Sequence, residues 1–326
     1  MTARQPPEWA KHDWVWIGFP SHADLWMEDL EPARQEVIAL AQAVRANGAG
    51  EGVRLVAADA ASAQAARQLA GPDITVIEQP FGDIWLRDTG PIILRDGSRR
   101  SAASFRFNGW GGKYQLEGDD SIGLRLADTA EFPTVRHDWI LEGGAIEVDG
   151  TGLLVTTEQC LLNTNRNSEL SKQQVEGRLR ADLGIDRILW LGEGLLHDHT
   201  DGHVDNLARF ASPGRLVVPE PTEDDPNAAV YNDARSRAEA FGLEVVPLPS
   251  PGLVLRDGEI IPASYMNFYI GNGSVVVPNY GAPNDEAAVE AIGALFPGRK
   301  AVGLRADYIL TGGGSFHCIS QQVPSV

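Results

Sequence analysis

Apolar positions along this chain follow two periods that take turns. In "EPARQEVIALAQAVRANG" (Glu31 to Gly48), Val37, Leu40, Ala41 and Val44 share one helical face, and Asn47 with Gly48 should end the helix. The same period recurs in "ASAQAARQLAG", "DDSIGLRLADTA", "SELSKQQVEGRLRADLG", "NAAVYNDARSRAEAFG" and "NDEAAVEAIGALFPG", most opening near Asp, Asn or Ser and closing near Gly or Pro. Between the helices lie paired strands split by turn residues: "PIILRDGSRRSAASFRF", "AIEVDGTGLLVTT", "NLARFASPGRLVVP" and "MNFYIGNGSVVVPN". An α/β fold follows. No low-complexity or charge block marks a linker, and "PEPTEDDPNA" reads as a solvated surface loop.

Each hairpin opens with a polar motif: "WLRDTG", "LEGG", "DGHVDN" and "SYMNF", with a fifth, "GGGSFHC", at the end of the chain. From Asp88 to Glu142 is 54 positions, then 61 to His203, 64 to Asn267 and 51 to Cys318. A polar group recurring once per helix and hairpin predicts a repeat architecture. If the units are radial, Asp88, Glu142, His203, Asn267 and Cys318 converge on one pocket.

Composition narrows the function. At 326 residues, 43% hydrophobic, the chain can bury a large core, as two domains or as one barrel or propeller unit. No apolar run spans a membrane, and "MTARQPPEWAKHDWVW" lacks the apolar stretch of an export signal. With Cys160 and Cys318 as the whole cysteine complement, a reduced cytoplasm is expected and a disulfide framework is not. The formal charge of −18 argues against nucleic acid as a partner and favours a small cation, although solubility alone also accounts for it.

The motifs then propose chemistry. Cys318 is a buried structural thiol or a nucleophile. If "GGGSFHC" is a strand, Phe316 and Cys318 share one face and His317 takes the other, so the base for Cys318 comes from elsewhere. Gly312, Gly313 and Gly314 permit close backbone approach to a ligand, or simply make a turn. "HDHTDGHVDN" gathers His197, Asp198, His199, Asp201, His203 and Asp205. On a strand His203 and Asp205 share a face, which suits proton transfer beside a bound cation. Zinc or iron ligation and a solvated loop are the rival readings. Trp85 offers an apolar wall for a flat cation, beside an Arg87–Asp88 pair that is either functional or a local ion pair. Glu142 needs a partner if buried, a histidine for instance. Asn267 is a ligand-binding candidate or an ordinary hairpin residue.

Taken together, "WVWIGFP", "DIWLRDTGP", "FNGWGGKY", "LEGGAIEVDG", "TEQCLLNTNRN", "HTDGHVDNLARF", "ASYMNFYIGNG" and "GGGSFHCISQQ" resemble the agmatine deiminase and Porphyromonas-type peptidyl-arginine deiminase family of the guanidino-modifying superfamily. The resemblance implies a single catalytic domain over residues 1–326 with the pentein fold, a pseudo-fivefold, five-bladed α/β propeller. It implies a hydrolase acting on a small cationic guanidino substrate, agmatine first, in polyamine biosynthesis. Asp88 and Asp205 would hold the guanidinium, Glu142 would support the histidine, His203 would be general acid and base, and Cys318 the nucleophile. No metal and no cofactor are needed. Trp85, His199, Asn267, Gly313 and Gly314 would complete the substrate pocket.

Alternatives at this stage are a deiminase of arginine or peptidyl-arginine, a metal-dependent hydrolase and a non-catalytic guanidinium-binding module; a homo-oligomer is left open. Two departures bear on the substrate's tail: His199 stands where relatives often carry an acid, and "GGGSFHC" replaces the common "GGGNIHC".

Overall fold

The computed structural model describes residues 3–256 and 258–326. Its strands form five main sheets that repeat one pattern, an antiparallel pair followed by a parallel partner. Ile92–Asp96 and Arg99–Arg106 make the hairpin of one sheet, and Thr134–Ile140 joins it in parallel. Ile146–Val148, Leu153–Thr157 and Arg187–Leu191 repeat this arrangement. So do Arg209–Ser212, Arg215–Glu220 and Glu244–Pro249, and then Tyr269–Ile270, Ser274–Asn279 and Lys300–Arg305. Both chain ends build the remaining sheet. Ser320–Pro324 lies antiparallel to His12–Gly18, which pairs in parallel with Gly52–Ala57, and Thr75–Glu78 is added at the edge. The fifth polar motif therefore does not lack a hairpin; its second strand is the N-terminal one. A small hairpin, Leu255–Arg256 with Glu259–Ile260, was not legible in the hydrophobic pattern.

Parallel neighbours require a crossover, and the periodic segments supply it as helices. Leu30–Arg45 turns Val37, Leu40, Ala41 and Val44 into the core. Ile122–Thr129, Lys172–Leu183, Ala228–Phe241 and Asp285–Leu295 serve the other four sheets. Ser171 and Gln174 close a capping box on the helix at Lys172, and Gly184 ends it at φ 68°. No strand pairing joins one sheet to the next among the described residues, so there is no closed barrel. None of the described helices is long and apolar enough to cross a membrane.

The acidic loop departs from its expectation. Asp225 and Asn227 are buried, Asp225 accepting from Ser250 Oγ and Asn227 Oδ1 from the Leu196 amide at 2.8 Å, so this stretch anchors neighbouring segments.

Charge, rather than hydrocarbon, occupies the place where the five sheets communicate. Arg209 is fully buried; its Nε donates to Glu147 Oε2 at 3.1 Å and its Nη1 to the carbonyls of Met266 and Phe268. Arg87 reaches Gln321 Oε1 at 3.0 Å and Glu8 Oε2 at 3.3 Å, and Arg209 lies 3.1 Å from the same Glu8 oxygen. Buried charges at this density are tolerated only when each is paired and hydrogen-bonded.

Candidate active site

Every polar motif occupies one tight turn immediately before its hairpin: Leu86–Thr89, Gly143–Ala145, Val204–Asn206, Tyr265–Asn267 and the turn over 316–319. This corrects the strand reading of "GHVDN" and "GSFHC". Ile319 N donates to Ser315 O and Ser320 N to His317 O, as a turn requires, so two-residue alternation does not apply there. The turns, not the strands, aim the side chains.

The aimed groups meet at Gly144. Its amide donates to Asp88 Oδ1 at 3.0 Å. A Cβ at this position would lie 2.6 Å from His203 Nδ1, 2.7 Å from Asp88 Oδ1 and 3.1 Å from Asp205 Oδ2. His203 Nδ1 stands 3.6 Å from Asp88 Oδ1, and Asp88 Oδ2 accepts from Trp110 Nε1 at 2.8 Å. Behind the imidazole, Glu142, Cys160 and His203 hold their donor atoms within 4.8 Å of one another. Arg166 Nε fixes Glu142 Oε1 at 2.6 Å, while its other nitrogens reach Asp201 and the Thr200 carbonyl.

Cys318 Sγ lies 3.5 Å from Asp205 Oδ2. Asn267 clamps it: Nδ2 donates to the sulfur at 2.9 Å, and Oδ1 accepts from the amides of His317 and Cys318 at 3.0 and 3.1 Å. Asn267 thus holds the cysteine from behind; like His203, Asp205 and Glu142 it lies behind the cavity lining, to which Asp88 and Cys318 contribute. Glu142 Oε2, both His203 nitrogens and Asp205 Oδ1 are buried and accept or donate no hydrogen bond among the described residues. Buried polar groups are normally satisfied, so such a cluster marks a place built for a ligand.

Electrostatics sorts these groups. Burial pushes Asp88 up to about 6, with Asp205 and Glu142 pushing the same way and His203 opposing. Asp205 is held below the usual carboxylate range; burial opposes this, and the His317 hydrogen bond and charge override it. Burial acts against charge on His203, yet Asp88, Cys160 and Glu142 together hold it protonated well above the ordinary imidazole range. The Cys318 thiol is pushed far up, first by burial and then by Asp205 and Asp88. In the free protein it is a thiol, contrary to the thiolate fraction expected of an unperturbed cysteine.

A cavity of about 280 Å³ leads to Cys318 and Asp88. Trp85 forms one wall, its Nε1 bonded to Asp83 at 2.6 Å. Side chains on Gly312 or Gly314 would strike the Trp85 ring at 2.5 and 2.7 Å, and one on Gly313, already at φ 104°, would meet His199 Nδ1 at 2.9 Å. The glycines are needed for these approaches. His199 lines the cavity with Tyr114, whose Oη lies 3.4 Å from His199 Nδ1. The lining contains Asp29, Asp83 and Asp88 but no lysine or arginine.

Among the described residues the histidines and aspartates of the "HDHTDGHVDN" run do not gather on one another; only His203 joins a group of possible donors. Asp198 accepts from Thr200, and Asp201 is bound by Lys113, Asn165 and Arg166. Among the described residues the donors that do gather, Glu142, Cys160 and His203, have the Arg166 guanidinium against Glu142, a resident cation that opposes a metal ion. Sequence reasoning gave no role to Trp110, Arg166 or His317. "FNGWGGKY" offered a signal, since Trp110 at φ 51° and its glycine neighbours form a turn that only a demanding contact would justify.

Comparison with known proteins follows from this geometry. A sequence profile of the Porphyromonas-type peptidyl-arginine deiminase family matches residues 4–324. The agmatine deiminase of Stutzerimonas stutzeri is 36% identical over 353 residues, which covers 98% of this chain and 95% of the relative. The solved structure of the agmatine deiminase of Enterococcus faecalis matches with a TM-score of 0.93 at 33% identity, covering 99% of this chain and 96% of that one. A Cys-to-Ser form of the C. jejuni agmatine deiminase with substrate bound matches at 0.92 and 28% identity, covering 99% and 96%.

Proposed function

Because the chain belongs to the Porphyromonas-type peptidyl-arginine deiminase family, we propose that it is an agmatine deiminase, converting agmatine and water to N-carbamoylputrescine and ammonia. The observation that carries the reading is the convergence of Asp88, Asp205 and His203 on Gly144, with Cys318 Sγ beside Asp205. The five sheets of like pattern support a pseudo-fivefold propeller, with the site at the turns that open each hairpin.

In this mechanism the planar guanidinium lies between Asp88 and Asp205, held by paired charge-assisted hydrogen bonds that turn its face to the sulfur. The same two carboxylates disfavour thiolate in the free protein, so an arriving cation removes that penalty and the thiol releases its proton to solvent as substrate binds, regaining one from solvent after product leaves. Cys318 attacks the guanidinium carbon. His203, protonated beforehand, gives its proton to the departing nitrogen, and ammonia leaves an amidino-cysteine. The now neutral imidazole takes a proton from water, which attacks the same carbon. Collapse of that adduct expels the thiolate and releases the urea product. Glu142, fixed by Arg166, favours the cationic histidine that the first step needs.

Agmatine is favoured over arginine because no lysine or arginine borders the cavity to meet an α-carboxylate. The basic residues of the motifs are committed elsewhere: Arg87 to Glu8, Gln321 and the His317 carbonyl, Lys113 to the His199 carbonyl and Asp201, Arg166 to Glu142, and Arg209 to Glu147. The test is ammonia and ureido product from agmatine, free arginine and peptidyl-arginine. Agmatine should give the highest kcat/KM. A tenfold win for another substrate, about 1.4 kcal/mol, would overturn the tail assignment.

A further inference from the structure

His317 looked like a bystander in sequence, next to the nucleophile and pointing elsewhere. It is 2% exposed and sits between two carboxylates. Its Nδ1 is 2.7 Å from Asp205 Oδ2, and its Nε2 is 2.8 Å from Glu8 Oε2. A neutral imidazole has one N–H and one lone pair. A lone pair set against a carboxylate oxygen at such a distance is repulsive, so both nitrogens carry protons. Its backbone is fixed as well: the amide donates to Asn267 Oδ1, and the carbonyl accepts from Arg87 Nε and Ser320 Oγ.

We infer that His317 is a positioning residue that, bridging Glu8 Oε2 and Asp205 Oδ2, fixes the orientation of Asp205 in the site. This rests on the deiminase reading and adds a division of labour between its two carboxylates. Asp205 Oδ2, the oxygen that faces Cys318 Sγ and Gly144, is the one His317 holds, and Oδ1 is buried and unpaired. Asp88 has no such fixed cation; of the charged groups near it, only His203 is cationic, and burial holds its proton affinity up. One carboxylate is therefore locked in its charged form and the other titrates. Glu8 locks the arrangement from the far side, itself held ionised by Arg209, His317 and Arg87 against the penalty of burial. The groups facing this unit are Glu8 and Asp205 on the ring nitrogens, Arg87 and Arg209 around Glu8, and Cys318 beside Asp205.

Two experiments on the full chain test it. The first reads protonation without substrate: ¹⁵N-histidine NMR of the His203→Gln protein, which removes the other buried imidazole of the site. One histidine should carry slowly exchanging N–H protons on both ring nitrogens at pH 7. A spectrum in which every histidine has a bare nitrogen at that pH overturns the proposal, whatever the fate of the deiminase reading. The second is His317→Gln with agmatine. KM should rise tenfold or more with kcat changed less than threefold, and the acid limb of kcat/KM should move up by about one pH unit or more as Asp205 begins to titrate. A folded His317→Gln protein with unchanged KM and pH profile overturns it. If the variant does not fold, the NMR result alone decides.

Discussion

Gly144→Ala isolates the convergence on which the site depends. The backbone there does not need glycine, because Gly144 is absent from the left-handed positions, so the added methyl acts through contact alone. Ordinary contact begins at 3.4 Å, whereas the methyl would lie 2.6 Å from His203 Nδ1 and 2.7 Å from Asp88 Oδ1. The ring and the carboxylate must then retreat by about 0.7 to 0.8 Å, and Asp205, at 3.1 Å, by about 0.3 Å. None of these is the free end of a flexible side chain: Asp88 is tied to Trp110 and Asp205 to His317. A displacement near 1 Å of a reacting group costs about 10²-fold, so kcat/KM for agmatine should fall by roughly two orders of magnitude, about 2.7 kcal/mol of transition-state stabilisation. The assay is initial-rate ammonia release, with circular dichroism and thermal unfolding to establish that the protein is folded. A folded variant within threefold of the parent would refute the claim that these three groups work at van der Waals contact around that glycine.

Other outcomes follow from the same geometry. Asp88 titrates near 6 in the free protein, and the substrate cation needs its charged form, so KM for agmatine should rise as pH falls through 6, in initial rates from pH 5 to 8. Glu8 is held well below the usual carboxylate range, so its stabilisation is present above the ordinary pKa near 4.5 and lost as pH falls through the folded value. Glu8→Gln should cost about 3–5 kcal/mol in urea denaturation at pH 7, as expected when one partner of a buried pair is removed, with the deficit narrowing in acid. Gly177, inside the helix Lys172–Leu183, has nothing within 4 Å of an added Cβ, so Gly177→Ala should stabilise by roughly 0.5–1 kcal/mol and raise Tm without changing kcat/KM.

What the sequence made legible was what depends on local period and turn chemistry. The six helices matched their apolar faces, and the hairpins matched their turn residues, because burial on one face decides both; of the caps, Asp59 and Ser171 make the expected side-chain bond, and the first long helix ends at Arg45, before Asn47. The spacing of the polar motifs was readable for the same reason, since each motif precedes one hairpin. The hidden parts depend on contacts across long separations. His317 pairs with Glu8 and Asp205, 309 and 112 positions away, and Arg166 finds Glu142 from another turn. No local pattern announces such partners. The strand reading of "GSFHC" failed because three glycines and a backbone clamp from Asn267 outweigh alternation at a chain end. Cys160 is buried among core residues but also reaches Glu142 and His203, which its place in "LLVTTEQCLLN" does not reveal.

The central claim is covalent catalysis at Cys318, and mass spectrometry of the acid-quenched protein during turnover of agmatine tests it most directly. The account predicts a burst of one ammonia per chain together with a Cys318 peptide heavier by agmatine less ammonia, absent in Cys318→Ser and retained in Cys160→Ala. Turnover with no adduct on Cys318, or an adduct on Cys160 instead, would contradict it.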